Sequence, residues 1–115
     1  MYASIRHYRV GAGSIDALMH RVDEEFAPAI SQEPGFVGYF MLEVGDADVQ
    51  TISIFHDRSA AEDSNQLAAA YVRDNLEEFE LTRKSVTSGH VLISRATAEA
   101  LDEMHRWGRA RVRAA

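Results

Sequence analysis

The sequence predicts an α+β fold in which the elements follow the order β-α-β-β-α-β and form a four-stranded antiparallel sheet. Three observations support this prediction. Apolar residues recur with the helical period in two long segments. Four other segments are rich in β-branched and aromatic residues and end at turn-forming residues. Finally, the segment "FVGYFMLEV" at 36–44 is apolar on both sides of a strand, whereas a strand with one solvated face alternates.

The composition is that of one soluble globular domain. The 115 residues are 46% hydrophobic and 26% charged, which are ordinary values. Since the chain has no cysteine, disulfides, thiolate zinc sites and cysteine nucleophiles are excluded. Residues 1–95 contain 8 basic and 15 acidic side chains, and this balance argues against a nucleic-acid partner. No signal-peptide core or membrane span is visible, so a cytoplasmic protein without a membrane partner is expected.

The first strand and the first helix are predicted on either side of "GAG" at 11–13. Residues 2–10 are rich in β-branched and aromatic types. Ser14 is placed to cap the helix that follows, and Pro28 is expected to kink or shorten its last turn. The apolar stripe of this helix consists of Ile15, Leu18, Met19, Val22, Phe26 and Ile30.

The remaining elements follow from turn signals and capping patterns. Strands are predicted at 36–44 and 49–57, joined by the hairpin-like "GDAD". A capping box, with Ser59 at the cap and Glu62 three residues later, predicts a helix that runs to about residue 79. A fourth strand is predicted at 85–94. Residues 96–112 are predicted to form one more helix, with an apolar stripe of Leu101, Met104, Gly108 and Val112. Its acidic residues come early and its arginines late, which matches the helix dipole.

This order of elements is the ferredoxin-like arrangement, with both helices on one face of the sheet. It divides the chain into a ferredoxin-fold domain at 1–95 and a C-terminal helical extension at 96–115. No internal repeat or linker interrupts the first part.

Two helices leave the second face of such a sheet uncovered, and both faces are apolar here. Five large side chains left in water would forgo roughly 8–15 kcal/mol of burial, which competes with an association cost of roughly 4–15 kcal/mol. We therefore expect a homodimer in which two sheets pack face to face. The alternative is that the C-terminal helix folds back over its own sheet. The predicted interface residues are Ile5, Phe36, Phe40, Leu42 and Phe55.

The segments "GAGSIDALMHRV", "EPGFVGYFML" and "ISIFHDRSAAEDSN" resemble the antibiotic-biosynthesis-monooxygenase-like (ABM-like) family of dimeric α+β barrels. The likeness spans residues 2–95 and implies a fold rather than one reaction. The family includes cofactor-free oxygenases of polyketide phenols, haem-degrading oxygenases, lactone isomerases and members without known activity. The resemblance implies a pocket between sheet and helices, lined here by Arg6, Tyr8, Tyr39, Met41, Ile54 and His56, with Asn65 and Tyr71 from the second helix.

No cofactor or metal is expected. The haem-degrading branch of the resembled family uses an asparagine, a tryptophan and a histidine at positions that align with Arg6, Ser64 and Asp74 here. None of the three matches, so haem degradation is not expected. The histidines show no metal-ligand spacing, and "GAG" lacks the context of a dinucleotide site.

Three residues are candidates for catalysis. His56, at a strand end, has a pKa range suited to a general base, and Arg6 and Tyr39 could hold a developing oxyanion. The alternatives are that His56 is a solvent-facing residue and that Arg6 pairs with Glu24 or Glu25. Tyr71 falls on an apolar stripe and is also a candidate core aromatic, whereas Asn65 is also a candidate solvated residue.

The sequence therefore predicts a homodimeric, cofactor-independent monooxygenase-like protein that binds a small aromatic or polyketide-like ligand. Oxygenation and proton-transfer isomerisation both remain open as reactions. One alternative is a non-catalytic binding or stress-response protein with the same fold. Another is a structural dimer whose cavity is filled by its own side chains.

Overall fold

A computed structural model describes residues 1–96, so the predicted C-terminal helix lies outside the described residues except for its first position. The strands are β1 (Tyr2–Arg9), β2 (Phe36–Glu43), β3 (Asp48–Phe55) and β4 (Thr82–His90). The helices are α1 (Ile15–Arg21), α2 (Ala27–Ser31) and α3 (Arg58–Asn75). A π-helical turn at Val22–Phe26 joins α1 to α2, and a 3₁₀ turn covers Glu77–Phe79. Within these residues no helix is long and apolar enough to cross a membrane.

The four strands form one sheet in the order β2-β3-β1-β4. Every neighbouring pair is antiparallel, so β1 and β2 run parallel to each other on either side of β3. The two crossovers contain helices, as the split β-α-β pattern requires. The predicted ferredoxin-like fold is confirmed.

The first helical segment begins where the sequence predicts. The Ser14 hydroxyl oxygen accepts a hydrogen bond from the Ala17 N–H at 3.0 Å, which satisfies one of the free donors of the first turn. The helix is irregular before Pro28 instead, at the π-helical turn, in which the Ala27 N–H bonds to the Val22 carbonyl five residues back. Pro28, which has no N–H, then falls in the first turn of α2, where proline is tolerated.

The predicted start and end of the second helix are wrong. Asp57, not Ser59, is the cap, since its carboxylate accepts from the Ala60 N–H at 2.8 Å. Glu62 instead pairs with Arg58 one turn earlier on the helix surface, at 2.8 Å. The helix ends at Asn75 rather than at about 79, and β4 occupies Thr82–His90 rather than 85–94.

The sheet has an inner face, toward the helices, and an open face on the other side. On β1 and β3 every second residue is buried, as expected for strands covered on one side. The inner face of these two strands consists of Tyr2, Ser4, Arg6, Tyr8, Val49, Thr51, Ser53 and Phe55. The open face consists of Ala3, Ile5, His7, Gln50, Ile52 and Ile54.

Part of the predicted assignment of β2 side chains to the two faces is wrong, because β2 contains a β-bulge. The register shifts between Phe36 and Gly38, and this extra residue reverses the side on which later residues lie. Phe36 therefore packs on the inner face against Phe55, with ring centroids 5.8 Å apart. Because Phe55 is fully buried there, Phe36 and Phe55 do not belong to the predicted interface. The residues of β2 on the open face are Val37, Phe40 and Leu42.

The hydrophobic core lies between the inner face and the helices. Its two ends differ, because aromatic rings fill the end near Phe36 and Phe55 whereas a small cavity remains near the middle of β1. The residues of the helical segments and of the connection after α3 that close this core are Leu18, Val22, Phe26, Ile30, Ala61, Ala68, Leu76 and Phe79.

Candidate functional site

A buried arginine, Arg6, occupies the middle of β1 on the inner face. Its side chain is 1% exposed. The guanidinium donates hydrogen bonds to the Thr51 hydroxyl at 3.2 Å, the Ser53 hydroxyl at 2.5 Å and the Asn65 side-chain carbonyl at 2.8 Å. All three acceptors are neutral. Among the described residues Arg6 has no ion pair, so the expected partners Glu24 and Glu25 are excluded.

A buried cation without a carboxylate partner is costly. Removing a charge from water is offset in proteins by an opposite charge or by good hydrogen bonds, and Arg6 has only the hydrogen bonds. Burial accordingly lowers the pKa of Arg6, while Tyr8 and Tyr39 nearby oppose that shift. An arginine keeps its proton even so, because a guanidinium is not deprotonated in proteins. The site therefore carries an uncompensated positive charge.

Two phenols lie beside this charge. The Tyr8 hydroxyl is buried and has no hydrogen-bond partner of normal geometry among the described residues. Burial raises the pKa of Tyr8, and Arg6 and Arg83 act in the opposite direction. Burial also raises the pKa of Tyr39 far above its usual range, with Arg6 again opposing it. Both phenols are therefore neutral hydrogen-bond donors at physiological pH.

Arg6, Tyr8 and Tyr39 line a cavity between the sheet and the helices. The free volume is about 30 Å³, room for a water molecule or two and far below the several hundred cubic ångströms of a typical ligand pocket. A second depression of about 180 Å³ lies outside it, and the two spaces share Met41 and Val49 as walls. The other walls of the cavity are apolar residues, among them Leu18, Val22, Phe26, Leu76 and Leu81.

Tyr71 lines the cavity with its ring but directs its hydroxyl away from it. The ring packs on Phe26, with centroids 5.2 Å apart. The hydroxyl donates to the Glu25 carboxylate at 2.6 Å, and the Arg21 carbonyl lies at 3.3 Å. Burial, together with Glu25, raises the pKa of Tyr71. Tyr71 thus links α3 to the π-helical turn and contributes an apolar wall.

Asn65 holds Arg6 rather than lining the cavity. Its carbonyl accepts from Arg6, and its amide donates to the Ser4 hydroxyl at 3.3 Å. Ser4 in turn bonds to the Ser88 hydroxyl at 2.9 Å. This chain of neutral side chains runs from the guanidinium to β4 and fixes where the positive charge lies.

Two predicted site residues lie elsewhere. Ile54 is on the open face, between the fully buried inner residues Ser53 and Phe55. His56 is exposed just after β3, where its backbone N–H donates to the Gly35 carbonyl at 2.8 Å. The described residues that line the cavity include no histidine and no carboxylate. His56 therefore does not line the cavity, and its role as a general base stays a prediction.

Sequence reasoning missed Thr51 and Ser53, which anchor Arg6 from β3. The available signal was "QTISIF" at 50–55, where two hydroxyl residues share one strand face. It also missed the π-helical turn, whose residues Val22 and Phe26 line the cavity. Such turns are frequent at functional sites, but no pattern in the sequence marks this one.

Comparisons with known proteins agree with this fold. No protein-family model matches the sequence, and a search of curated proteins found no match. Among solved structures, a mutant of MhuD with two manganese protoporphyrin IX molecules bound per active site is 22% identical. That match covers 84% of this chain and 100% of the other, with a TM-score of 0.66. SnoaB, a cofactor-independent oxygenase from Streptomyces nogalater, is 18% identical over 84% of this chain and 95% of its own, with a TM-score of 0.56.

A proposed antibiotic biosynthesis monooxygenase from Deinococcus radiodurans is 17% identical over 84% of this chain and 98% of its own, with a TM-score of 0.63. Other matches include a dimeric ferredoxin-like protein from an uncultured marine organism. The chain thus has the fold of the ABM-like proteins, as the sequence resemblance implies. Because these identities are below 25%, the likeness establishes the fold alone.

Proposed function

We propose that this protein binds a small aromatic or polyketide-like molecule next to Arg6 and acts on it as a cofactor-independent, monooxygenase-like protein. The observation that carries the proposal is the buried Arg6 guanidinium, which has three neutral hydrogen-bond partners and no carboxylate. A charge held in this way destabilises the fold and is available to interact with a ligand. The cofactor-independent oxygenase among the similar structures adds support for the reaction class.

The site is suited to an oxygen atom that becomes negative. Arg6 supplies a fixed positive charge, and Tyr39 and Tyr8 are neutral phenols whose pKa values are raised by burial. Such groups in an apolar cavity stabilise a phenolate or enolate without having to reorganise. The site would therefore lower the pKa of a bound phenol or enol.

In the proposed reaction, the bound anion reacts with dioxygen. A methylene carbon beside an aromatic ketone loses two hydrogens and gains one oxygen, so that CH₂ and O₂ become C=O and H₂O. The role of Arg6 and Tyr39 is to hold the anion that gives its electrons to oxygen. Because the described walls of the cavity contain no side chain of ordinary basicity, the ligand's first proton is proposed to leave to water.

A non-catalytic binding protein is the second candidate. The position of His56 outside the cavity favours it, whereas the small free volume, about 30 Å³, favours the structural dimer whose cavity is filled by its own side chains. The non-catalytic binding protein would bind the same class of ligand and release it unchanged.

We further propose that two copies pair through their open faces. Large apolar side chains on this face are exposed, for example Ile5 at 36% and Leu42 at 40%. A contiguous patch of this kind is typical of an interface, and one of the proteins of similar fold is dimeric. The proposed interface, revised from the sequence prediction, consists of Ala3, Ile5, Val37, Phe40, Leu42, Ile52 and Ile54.

The reaction can be tested with dithranol, an anthrone-type phenol. Oxygen uptake and quinone absorbance should appear with the wild type and with His56→Ala, and should be lost in Arg6→Met. Binding by the wild type without oxygen uptake would favour the non-catalytic candidate. A full loss of activity in His56→Ala would contradict the assignment of the chemistry to the cavity.

A further inference from the structure

We propose that the binding site continues from Arg6 past Met41 into the outer depression, and that its ligand is an organic monoanion. In this arrangement the anionic oxygen lies at Arg6 and an uncharged apolar body reaches outward. The inference rests on the proposed function, because it names the chemical class that the same site would take.

Met41 separates the two spaces. Both the cavity and the depression have Met41 and Val49 among their walls. Val49, near the start of β3, is 1% exposed and its branched side chain is stiff. Met41 is only partly buried, and an unbranched thioether adopts many shapes. Rotation of Met41 would join the two volumes into about 200 Å³, enough for a two-ring aromatic molecule.

The inner end of the joined space favours an anion over a neutral group. Arg6 has its charge satisfied only by neutral oxygens. In a medium of low dielectric constant, a charge interacts more strongly with an opposite charge than with a dipole. The buried Tyr8 hydroxyl, which has no hydrogen-bond partner of normal geometry among the described residues, can donate to the same oxygen.

The outer end disfavours a second negative charge. The depression is lined by the carboxylates of Asp16 and Glu43, together with the apolar residues Ile15 and Met19. Asp16 lies 3.6 Å from His20, but both side chains are largely exposed, so this pair neutralises little. A dianion long enough to reach from Arg6 to the depression would place its second carboxylate beside these acids.

The test compares three probes of one shape by isothermal titration calorimetry, at fixed ionic strength. They are 2-naphthoate, the neutral 2-acetylnaphthalene and the dianion naphthalene-2,6-dicarboxylate. We expect naphthoate to bind at least tenfold more tightly than either of the others. In Asp16→Asn/Glu43→Gln the ratio between naphthoate and the dianion should shrink at least threefold. The control Glu33→Gln/Asp63→Asn, which makes the same charge change in a separate groove beside the start of α3, should leave that ratio unchanged.

Met41 is tested by stopped-flow association of 2-naphthoate. Met41→Ala should bind it at least threefold faster than the wild type, since the wall between the two spaces is removed. An equal or slower rate would overturn this role of Met41. Equal affinities for the three probes, or a ratio that changes as much in the control as in the test variant, would overturn the monoanion while leaving the proposed function intact. Failure of all three probes to bind both the wild type and Met41→Ala would overturn the proposed function as well.

Discussion

The two faces of the sheet reverse the usual distribution of polar and apolar residues. At the middle of β1 and β3 the covered inner face carries Arg6, Thr51 and Ser53, all nearly fully buried. The uncovered open face carries Ile5 and Ile52 opposite each other. A sheet with one solvated face ordinarily has the opposite pattern. Burial of Arg6 on the inner face therefore has an energetic cost that a bound anion would reduce. The exposed apolar side chains of the open face would be buried by a second copy.

The largest effect is expected on dimerisation, when a charge is introduced on the open face. Phe40→Asp places a carboxylate in the proposed interface twice, because a two-fold interface repeats every substitution. At about 2 kcal/mol for each copy, dimerisation should weaken by roughly a thousandfold. Analytical ultracentrifugation at micromolar concentration should then find 12.8 kDa for the variant and twice that mass for the wild type.

Val86→Asp is the matched control for that experiment. Val86 and Phe40 are both 39% exposed, but Val86 pairs with Arg6 in the register of β1 and β4 and so lies on the inner side of the sheet. Val86→Asp should therefore leave the mass found by ultracentrifugation equal to that of the wild type. A wild-type mass near 12.8 kDa would contradict the dimer and favour a C-terminal segment that covers its own sheet.

The inner face should become more stable when its polar site is made apolar. We expect Arg6→Met/Thr51→Val/Ser53→Ala to raise the free energy of unfolding by about 1–4 kcal/mol, as replacement of buried ionic groups by packed apolar ones often does. Arg6→Met alone should be less stable than the triple variant, because the two hydroxyls lose their donor. Urea unfolding at one protein concentration measures both. A large loss of stability in the triple variant would mean that Arg6 serves the fold rather than a ligand.

The order of the elements was predictable from the sequence because helical periods, turn residues and the Ser14 cap are local signals. Which side chains of each strand lie on the inner face and which on the open face was only partly predictable. The assignment depends on strand registers and bulges, and these cannot be read from local sequence patterns. The bulge between Phe36 and Gly38 moves Phe36 to the side opposite to the one that simple alternation gives. Ile52 and Ile54 look like core residues, yet they lie on the open face, because the alternation along β3 places Thr51 and Ser53 on the inner face beside Arg6.

The candidate site was also predicted only in part, because the assignment of its strand residues depends on the same registers. The resemblance to the ABM-like family brought together Arg6, Tyr8, Tyr39, Met41 and Tyr71, which line one cavity in the structure. It also assigned His56 and Ile54 to that cavity. That assignment fails, since side-chain parity places Ile54 on the open face and His56 lies beyond the strand. The catalytic roles of Arg6 and Tyr39 stay predictions.

The two phenols that border the cavity should respond in opposite ways to loss of the hydroxyl. Tyr8→Phe removes a buried hydroxyl that has no hydrogen-bond partner of normal geometry among the described residues and should stabilise the fold by about 1 kcal/mol. Tyr71→Phe removes the bond to Glu25 and should destabilise it by about the same amount. Urea unfolding of the two variants side by side makes the comparison. Destabilisation by Tyr8→Phe would mean that its hydroxyl is engaged by Arg6 or Arg83.

The smallest expected effect is a loss of stability in alkali that depends on Tyr39. Burial raises the pKa of Tyr39 in the folded protein, whereas an unfolded tyrosine ionises near pH 10. Above pH 10 the unfolded state therefore releases a proton that the folded state retains, so stability is complete below pH 10 and falls as the pH rises beyond it. Half a pH unit above that point, Tyr39 should account for just under 1 kcal/mol of the loss. Tyr39→Phe should lose less stability than the wild type between pH 8 and pH 10.5 in urea titrations, and an identical loss would show that Tyr39 ionises as freely as a phenol in water.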